Sequence, residues 1–308
     1  MPLSSHSLAI LCALGAALTW GLGSLLFRRV LEHARAEERP TPAALNLFKN
    51  VLAAAGLALL WFVQGGEPPS LAALPWLVAS GFLGFSLGDM LYLAALPRAG
   101  VQAAAMVVQV HVPLSALLAF ALFGNRLSLA AVGSIALVLA GVCLVLLESR
   151  WRSTRDPELR RRGLALAWGA TFAYAVNIVL GHHGLTGAAL FAGSFVRVAS
   201  GVGGAFLVLP FQRSGESFGR ALLGLLRPFR EPALARRLVG PSLCSVLGLP
   251  LFHYGLRELE PGIAAVLLST TPLFTLLLGG FFGERHGPRA WIGTLLGFAG
   301  VAGVIGAS

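Results

Sequence analysis

The chain has 308 residues, of which 56% are hydrophobic and only 12% are charged. A soluble domain carries about twice that share of charged residues, so the composition excludes an ordinary soluble enzyme or binding domain. The net charge of +10 would suit nucleic acid, but in so apolar a chain it more simply marks basic loops at a membrane, and no nucleic-acid partner is expected.

Apolar stretches of about 20 residues, the length of a membrane-spanning helix, follow one another along the whole chain. None shows the alternation of a membrane β-barrel strand. The sequence therefore predicts an all-α integral membrane protein with about ten transmembrane helices and little chain left for a soluble domain. The predicted spans lie near residues 8–28, 43–63, 72–96, 100–122, 128–147, 163–183, 187–210, 238–256, 261–282 and 288–307.

Basic residues concentrate in alternate loops. Nineteen of the 23 Lys and Arg residues lie at or beside loops that follow odd-numbered spans. Because basic loops tend to stay in the cytoplasm, we expect these loops on the cytoplasmic side of the cell (plasma) membrane and both termini outside. The longest loop, 211–237, carries Phe218 and Leu222 on one helical face. It is either a short amphipathic helix on the membrane or a basic connector.

Two distant stretches of the chain carry nearly the same pattern. TTPLFTLLLGGFFGER at 270–285 repeats HVPLSALLAFALFGNR at 111–126 after a shift of 159 residues, which superposes Pro113 on Pro272. So long a match is unlikely to arise by chance, which indicates a duplicated chain. Fainter matches pair Trp20 with Tyr174, Lys49 with Arg197, and LYLAAL at 91–96 with LFHYGL at 251–256.

The duplication predicts two homologous halves. Residues 1–150 would form the first half and 163–308 the second, joined by a basic linker over 151–162. Each half holds five spans, an odd number, so the two halves must cross the membrane in opposite directions. Such inverted repeats are typical of many secondary transporters.

Asp89 is the only carboxylate deep within a predicted span. A charge in hydrocarbon is costly, so we expect Asp89 to face a water-filled cavity or a partner. Tyr92 one turn after it and Phe85 one turn before it should share its face of the helix. That face suits a cationic or amphipathic substrate, and a carboxyl that exchanges protons suits proton-coupled export. The alternative is a structural Asp paired with a basic or polar neighbour.

Spans 4 and 9 hold further polar candidates. His111, two residues before Pro113, could relay protons or be a neutral, hydrogen-bonded core histidine. On a continuous helix, Gln109 points almost opposite to His111. In span 9 the candidates are Ser269 and Thr270.

The two repeat-related prolines interrupt the same place in each half. Pro113 and Pro272 each remove a mid-span hydrogen bond and free nearby carbonyl groups. In transporters such kinks often mark the binding site or a hinge, although a packing kink explains them too.

Several residues of spans 1, 2, 6 and 7 have more than one interpretation. Trp20 and Tyr174, with Ser24 and Asn177 on the same spans, either line a cavity or pack helices. The basic residues of spans 2 and 7 have three alternatives: they snorkel to the interface, they pair with a carboxylate, or they bind an anionic substrate. A structural role is the preferred interpretation. They are Lys49 and Arg197.

The tandem proline motifs, each followed by Phe-Gly-x-Arg and a glycine-rich span, resemble the EamA-type transporters of the drug/metabolite transporter superfamily. The second copy has the usual Gly283-Glu284-Arg285, whereas the first has Asn125 where Glu is usual. The resemblance covers essentially the whole chain. It implies ten helices, a central cavity lined mainly by helices 1, 3, 4, 6, 8 and 9, and cytoplasmic termini, which is opposite to the orientation from the charge count.

These patterns together predict a secondary transporter that exports a small metabolite, amino-acid-like or drug-like, by alternating access, with proton coupling as an option. The alternatives are a proton-independent metabolite exchanger and, from another class, an integral membrane lipid-modifying enzyme. No nucleotide, dinucleotide, metalloprotease or nucleophile motif is present, so we expect no enzyme, cofactor or metal site. The expected partners are a small-molecule substrate, protons and membrane lipids; the oligomeric state is left open.

Overall fold

The computed structural model describes residues 4–33, 40–99, 101–124, 128–148, 157–208, 218–281 and 287–307. These residues are overwhelmingly helical and include no strand. The motif ends at Asn125 and at Gly283-Glu284-Arg285 lie outside them, as do residues 151–156 of the predicted linker. The helices are α1 (Ser5–His33), α2 (Pro42–Val63), α3 (Leu74–Gly81), a π-helical segment (Phe82–Gly88), α4 (Asp89–Ala99), α5 (Val101–Val108), α6 (His111–Phe123), α7 (Leu129–Glu148), α8 (Pro157–Thr186), α9 (Leu190–Val208), α10 (Phe218–Leu225), α11 (Arg227–Arg230), α12 (Pro232–Glu258), α13 (Pro261–Leu268), α14 (Thr271–Phe281) and α15 (Pro288–Ala307).

Seven helical stretches within the described residues are long and apolar enough to cross a membrane. Two further apolar helices are shorter, and α15 coincides with the tenth predicted span. The all-helical membrane fold is thus confirmed, while a total of ten spans and the side that each loop faces stay predictions. The seven are Ser5–Phe27, Ala43–Val63, Leu74–Leu96, Pro157–Thr186, Leu190–Leu207, Pro232–Glu258 and Pro261–Phe281; the shorter two are His111–Phe123 and Leu129–Val145.

Two helices begin earlier than the apolar pattern indicates. Helix α8 starts at Pro157, so residues 157–162 of the predicted linker are helical. There Glu158 pairs with Arg162 one turn later, at 2.9 Å between Oε1 and Nε, which supports the polar first turns of the helix. Helix α12 starts at Pro232, within the loop expected over 211–237, because proline is well suited to a first helical turn.

The amphipathic stretch in that loop does form a helix, α10. Its Ala221 and Leu225 are buried against Leu47 of α2 and Ala205 of α9. Phe218 remains exposed. Helix α10 therefore packs onto the bundle with one face.

Helix contacts recur between the two halves. Helix α1 packs against α12, and α8 packs against α4. An added Cβ would meet Leu251 Cδ1 at 3.3 Å from Gly15, and Leu91 Cδ1 at 3.2 Å from Gly169. Gly15 corresponds to Gly169, and Leu91 to Leu251, in the sequence repeat. The first span of each half therefore packs against the third span of the other half in the same way: α1 against α12, and α8 against α4.

A second pair of contacts follows the same relation. The ring of Trp20 lies against Gly248, where an added Cβ would come within 2.6 Å of Nε1. The ring of Tyr174 lies against Gly88, at 2.9 Å from such a Cβ. Glycine at both positions lets a large aromatic ring approach the helix backbone, and the second contact brings the ring of Tyr174 beside Asp89.

Candidate functional site

Asp89 lies between the two halves of the chain. Its Oδ1 accepts a hydrogen bond of 2.8 Å from the hydroxyl of Tyr174 on α8. Its Oδ2 lies 3.6 Å from Nζ of Lys49 on α2, and the side chains of Lys49 and Asp89 are 26% and 20% exposed. Asp89 therefore has a basic partner from its own half and a hydroxyl donor from the other half.

A π-helical turn leads directly into Asp89. The amide of Asp89 bonds to the carbonyl of Gly84, five residues back, so the carbonyl of Phe85 loses its usual helical partner. The side-chain amides of Asn46 and Asn50 on α2 donate to that carbonyl at 3.0 and 3.2 Å. Both asparagines are buried. The sequence reading missed them, although two Asn residues four apart in an apolar span are a usable signal.

The expectation that Phe85 and Tyr92 share a face of the helix with Asp89 stays a prediction. Phe85 also contacts residues outside the surroundings of Asp89. Its ring lies 5.6 Å from Cζ of Arg197 and 5.9 Å from the ring of His253, in a separate cluster.

Aromatic and imidazole groups adjoin Asp89 from other helices. The His111 ring at the start of α6 meets the ring of Tyr174 edge-on, at 6.2 Å between centroids. Tyr92 is on α4, one turn after Asp89, and packs against the small residues between α4, α5 and α8. The structure thus brings together four of the predicted candidates: Asp89, Tyr92, His111 and Tyr174.

Arg197 occupies a second cluster and is completely buried. Its Nε donates to Ser80 Oγ at 2.9 Å and its Nη2 donates to Asn177 Oδ1 at 2.8 Å. Its Cζ lies 5.6 and 5.5 Å from the rings of Phe85 and Phe252. Snorkelling to the interface is therefore wrong for Arg197.

His253 belongs to the same cluster. A position near a span end suggests an interfacial anchor, but His253 on α12 is completely buried because α12 runs through residues 232–258. Its ring centroid lies 5.1 Å from that of Phe252 and 5.9 Å from that of Phe85. Sequence reasoning missed its burial, since only the packing of α12 against other helices decides it.

Trp20 and Asn177 line this second cluster. Trp20 contacts Phe252 edge-on, at 5.3 Å between ring centroids. Asn177 packs against Gly84 and bonds to Ser80 as well as to Arg197. Ser24 joins neither cluster, because its hydroxyl is exposed and bonds back to the carbonyl of Trp20 at 2.8 Å.

The predicted kinks fall at equivalent breaks in the two halves. Helix α5 ends at Val108 before α6 begins at His111, and α13 ends at Leu268 before α14 begins at Thr271. His111 Nδ1 lies 2.7 Å from the carbonyl oxygen of Val108, and Thr270 Oγ1 donates to the carbonyl of Leu267 at 2.5 Å. These bonds occupy the same place in each repeat.

Side-chain hydroxyl groups around the break between α13 and α14 donate hydrogen bonds to backbone carbonyls. Pro272 leaves the carbonyl of Leu268 without its helical donor, and Thr271 Oγ1 donates to that carbonyl at 2.8 Å. Ser269 is buried and bonds to the carbonyl of Val266. The hydroxyls of Ser269 and Thr270 are thus both hydrogen-bonded to backbone carbonyls at the break.

The break also revises the expectation for Gln109. Gln109 and Val110 form the turn between α5 and α6, so the opposed placement of Gln109 and His111 on one continuous helix does not apply. Gln109 Oε1 is buried and has no hydrogen-bond partner within the described residues. Pro113 follows in the first turn of α6, which proline tolerates well.

The described residues show no cluster of three His, Cys, Asp or Glu side chains that could hold a metal ion. Cys12, Cys143 and Cys244 are free thiols.

Comparison with known proteins matches the chain twice to one family model. The model of the EamA-like transporter family covers residues 7–147 and again residues 161–306. No protein with a curated description matches the chain. A solved structure, named only as the crystal structure of a protein, aligns with a TM-score of 0.71 over 98% of this chain and 99% of its own, at 20% identity. At that identity the likeness shows the fold alone.

The apolar helices together with the two family matches define an integral membrane protein of the transporter class. The chain belongs to the EamA-like transporter family, and is thus a membrane transporter of the drug/metabolite type.

Proposed function

We propose that this chain is a secondary transporter that exports a small amino-acid-like or drug-like metabolite by alternating access, coupled to proton exchange at Asp89. The observation that carries the proposal is the hydrogen bond from Tyr174 of the second half to the carboxylate of Asp89 in the first half. A titratable group at the contact between two moving halves is suited to couple its charge to their arrangement.

Protonation of Asp89 changes both of its contacts. It removes the negative charge that attracts Lys49 across 3.6 Å, and it weakens Oδ1 as an acceptor for the Tyr174 hydroxyl. The link between the halves is therefore strongest when Asp89 is ionised. A proton taken from one side of the membrane loosens that link, and a proton released on the other side restores it.

The same site suits a cationic or amphipathic substrate. The carboxylate of Asp89 supplies the charge, and Tyr92, Tyr174 and His111 supply aromatic surfaces around it. A substrate amine that displaces Lys49 from Asp89 would compete with the proton for one carboxylate. Such competition is the simplest basis for exchange of substrate against protons.

The test uses liposomes reconstituted with the purified protein and loaded with a pH-sensitive dye. Each of the 20 common amino acids and a set of cationic dyes is added on one side, and the lumenal pH is followed. At least one compound should shift the lumenal pH through the native protein. Asp89→Asn should abolish that shift, because a side-chain amide does not titrate and cannot carry a proton across.

The matched control is Glu67→Gln, the same kind of change at an exposed carboxylate in the loop after α2. It should behave as the native protein. Tyr174→Phe keeps the carboxylate but loses the bond between the halves, so it should slow transport while retaining its proton dependence. Proton movement that persists in Asp89→Asn refutes the coupling role. Transport of a labelled compound without any proton movement favours the exchanger.

A further inference from the structure

Arg197 carries a buried positive charge without a carboxylate partner in the described part of the chain. Its two hydrogen-bonded partners, Ser80 and Asn177, are neutral, and its Nη1 has no hydrogen-bond partner among the described residues. A guanidinium stays protonated in proteins, so the charge persists. A buried cation without a counter-ion is strongly disfavoured, which points to an anion that completes the site.

His253, in the same cluster, also lacks hydrogen-bond partners among the residues that the structure describes. Both of its ring nitrogens are buried and have no hydrogen-bond partner within the described ranges. It shares two neighbours with Arg197, the rings of Phe85 and Phe252. Three unpartnered polar atoms of two completely buried side chains therefore lie around one pair of aromatic rings.

The internal repeat shows where a counter-ion is missing. Lys49 corresponds to Arg197, and the match of LYLAAL with LFHYGL places Leu249 where the first half has Asp89. Lys49 has the carboxylate of Asp89 at 3.6 Å, whereas the second half has an apolar, buried side chain at the equivalent position. The chain thus supplies a carboxylate for one basic residue of the pair and none for the other.

From these contacts we propose that Arg197 and His253 form an anion-binding site inside the bundle, which takes a compact monoanionic group, a carboxylate or a halide. The Nη1 group and one imidazole N–H provide few donors, which suits a monoanion rather than a phosphate dianion. The surroundings of the guanidinium are tight, since an added Cβ at Gly181 would lie 2.5 Å from Nη2. The anionic group that contacts Nη1 must therefore be small, whatever it is attached to.

The anion has two chemical sources. It is either the carboxylate end of the transported metabolite, in which case the site deepens the proposed function, or an inorganic ion such as chloride. The rings of Phe85 and Phe252 favour a carboxylate that carries an apolar group. Binding is measured without transport, so a failed binding test leaves the role of Asp89 open to its own test.

The experiment measures the thermal unfolding midpoint of the purified protein in dodecyl maltoside, in halide-free sodium HEPES at constant ionic strength. Sodium chloride, sodium acetate and sodium benzoate are titrated separately. A bound anion raises the midpoint in a saturable way. A response to chloride alone assigns the site to an inorganic ion, and a response that rises from acetate to benzoate assigns it to a substrate carboxylate.

Variants locate the response. Arg197→Gln should weaken the apparent affinity about tenfold or more, the effect of losing a charged hydrogen-bond partner. His253→Phe keeps an aromatic ring beside Phe252 and should also weaken it, so the test survives if Arg197→Gln fails to fold. Arg257→Gln, the same change at a pair with the adjacent Glu258, should respond as the native protein. A native protein without a saturable response, or one whose response survives in His253→Phe and Arg197→Gln, overturns the proposal.

Discussion

The pair of Lys49 and Asp89 should contribute to stability in a way that a double variant exposes. Lys49→Met keeps most of the apolar stem of the side chain but removes the charge 3.6 Å from Asp89 Oδ2. At an effective dielectric constant of about 20, two charges at that distance attract by roughly 4–5 kcal/mol. The side chains are 26% and 20% exposed, so solvent screens part of this, and we expect Lys49→Met to lower the free energy of unfolding by about 1–3 kcal/mol.

The assay is equilibrium unfolding in mixed dodecyl maltoside and SDS micelles, followed by far-ultraviolet circular dichroism. Asp89→Asn alone should be destabilising to a similar degree, because it leaves Lys49 without its counter-charge. The double variant Lys49→Met/Asp89→Asn leaves no unpaired charge, so its free energy of unfolding should return to within about 1 kcal/mol of the native value.

An exposed pair provides the reference. Arg162 and Glu158 on α8 approach to 2.9 Å, closer than Lys49 and Asp89, but their side chains are 71% and 49% exposed. Double variants at that pair should reveal a coupling of about 0.5 kcal/mol or less. If the two losses at Lys49 and Asp89 simply add in the double variant, the pair is not coupled and the reasoning from burial is refuted.

Two more predictions concern the backbone. Asn46→Leu or Asn50→Leu leaves the Phe85 carbonyl one donor and should lower the free energy of unfolding by about 0.5–1 kcal/mol. The double variant leaves a buried acceptor unsatisfied and should lower it by about 1–3 kcal/mol in the same assay. A double variant as stable as the native protein contradicts the account of the π turn. Gly300→Ala on α15 would place its Cβ 2.6 Å from a backbone nitrogen of α7 and should be destabilising. Gly133→Ala on α7 meets nothing within 4 Å and should stabilise its helix by about 0.5–1 kcal/mol. Equal effects of the two would contradict the close packing of α7 on α15.

The sequence predicts the overall organisation well because its signals are local. Apolar length identifies the spans, and the repeated motif around Pro113 and Pro272 identifies the family, which the matches over residues 7–147 and 161–306 confirm. The signal for Asp89 is local too, since a carboxylate in an apolar span is recognisable without any knowledge of its neighbours. The breaks before the two prolines lie where the repeated motif indicates a kink.

Other features depend on contacts between distant helices and were not predictable in this way. The π turn before Asp89 requires donors for a freed carbonyl, and these come from another helix. The burial of His253 depends on where α12 packs, since the apolar pattern alone places this residue near a span end.

The two clusters are unlike, although the repeat makes their positions equivalent. In the first half the basic residue Lys49 is matched by an internal carboxylate, which can gain or lose a proton. In the second half Arg197 is held by neutral partners and its charge is fixed. The carboxylate of Asp89 can therefore exchange a proton, while the guanidinium of Arg197 retains a constant attraction for an anion. If both proposals hold, one half of the duplicated chain supplies the exchangeable charge and the other recognises an anionic group, which explains why two copies of one repeat have diverged at Asp89 and Leu249.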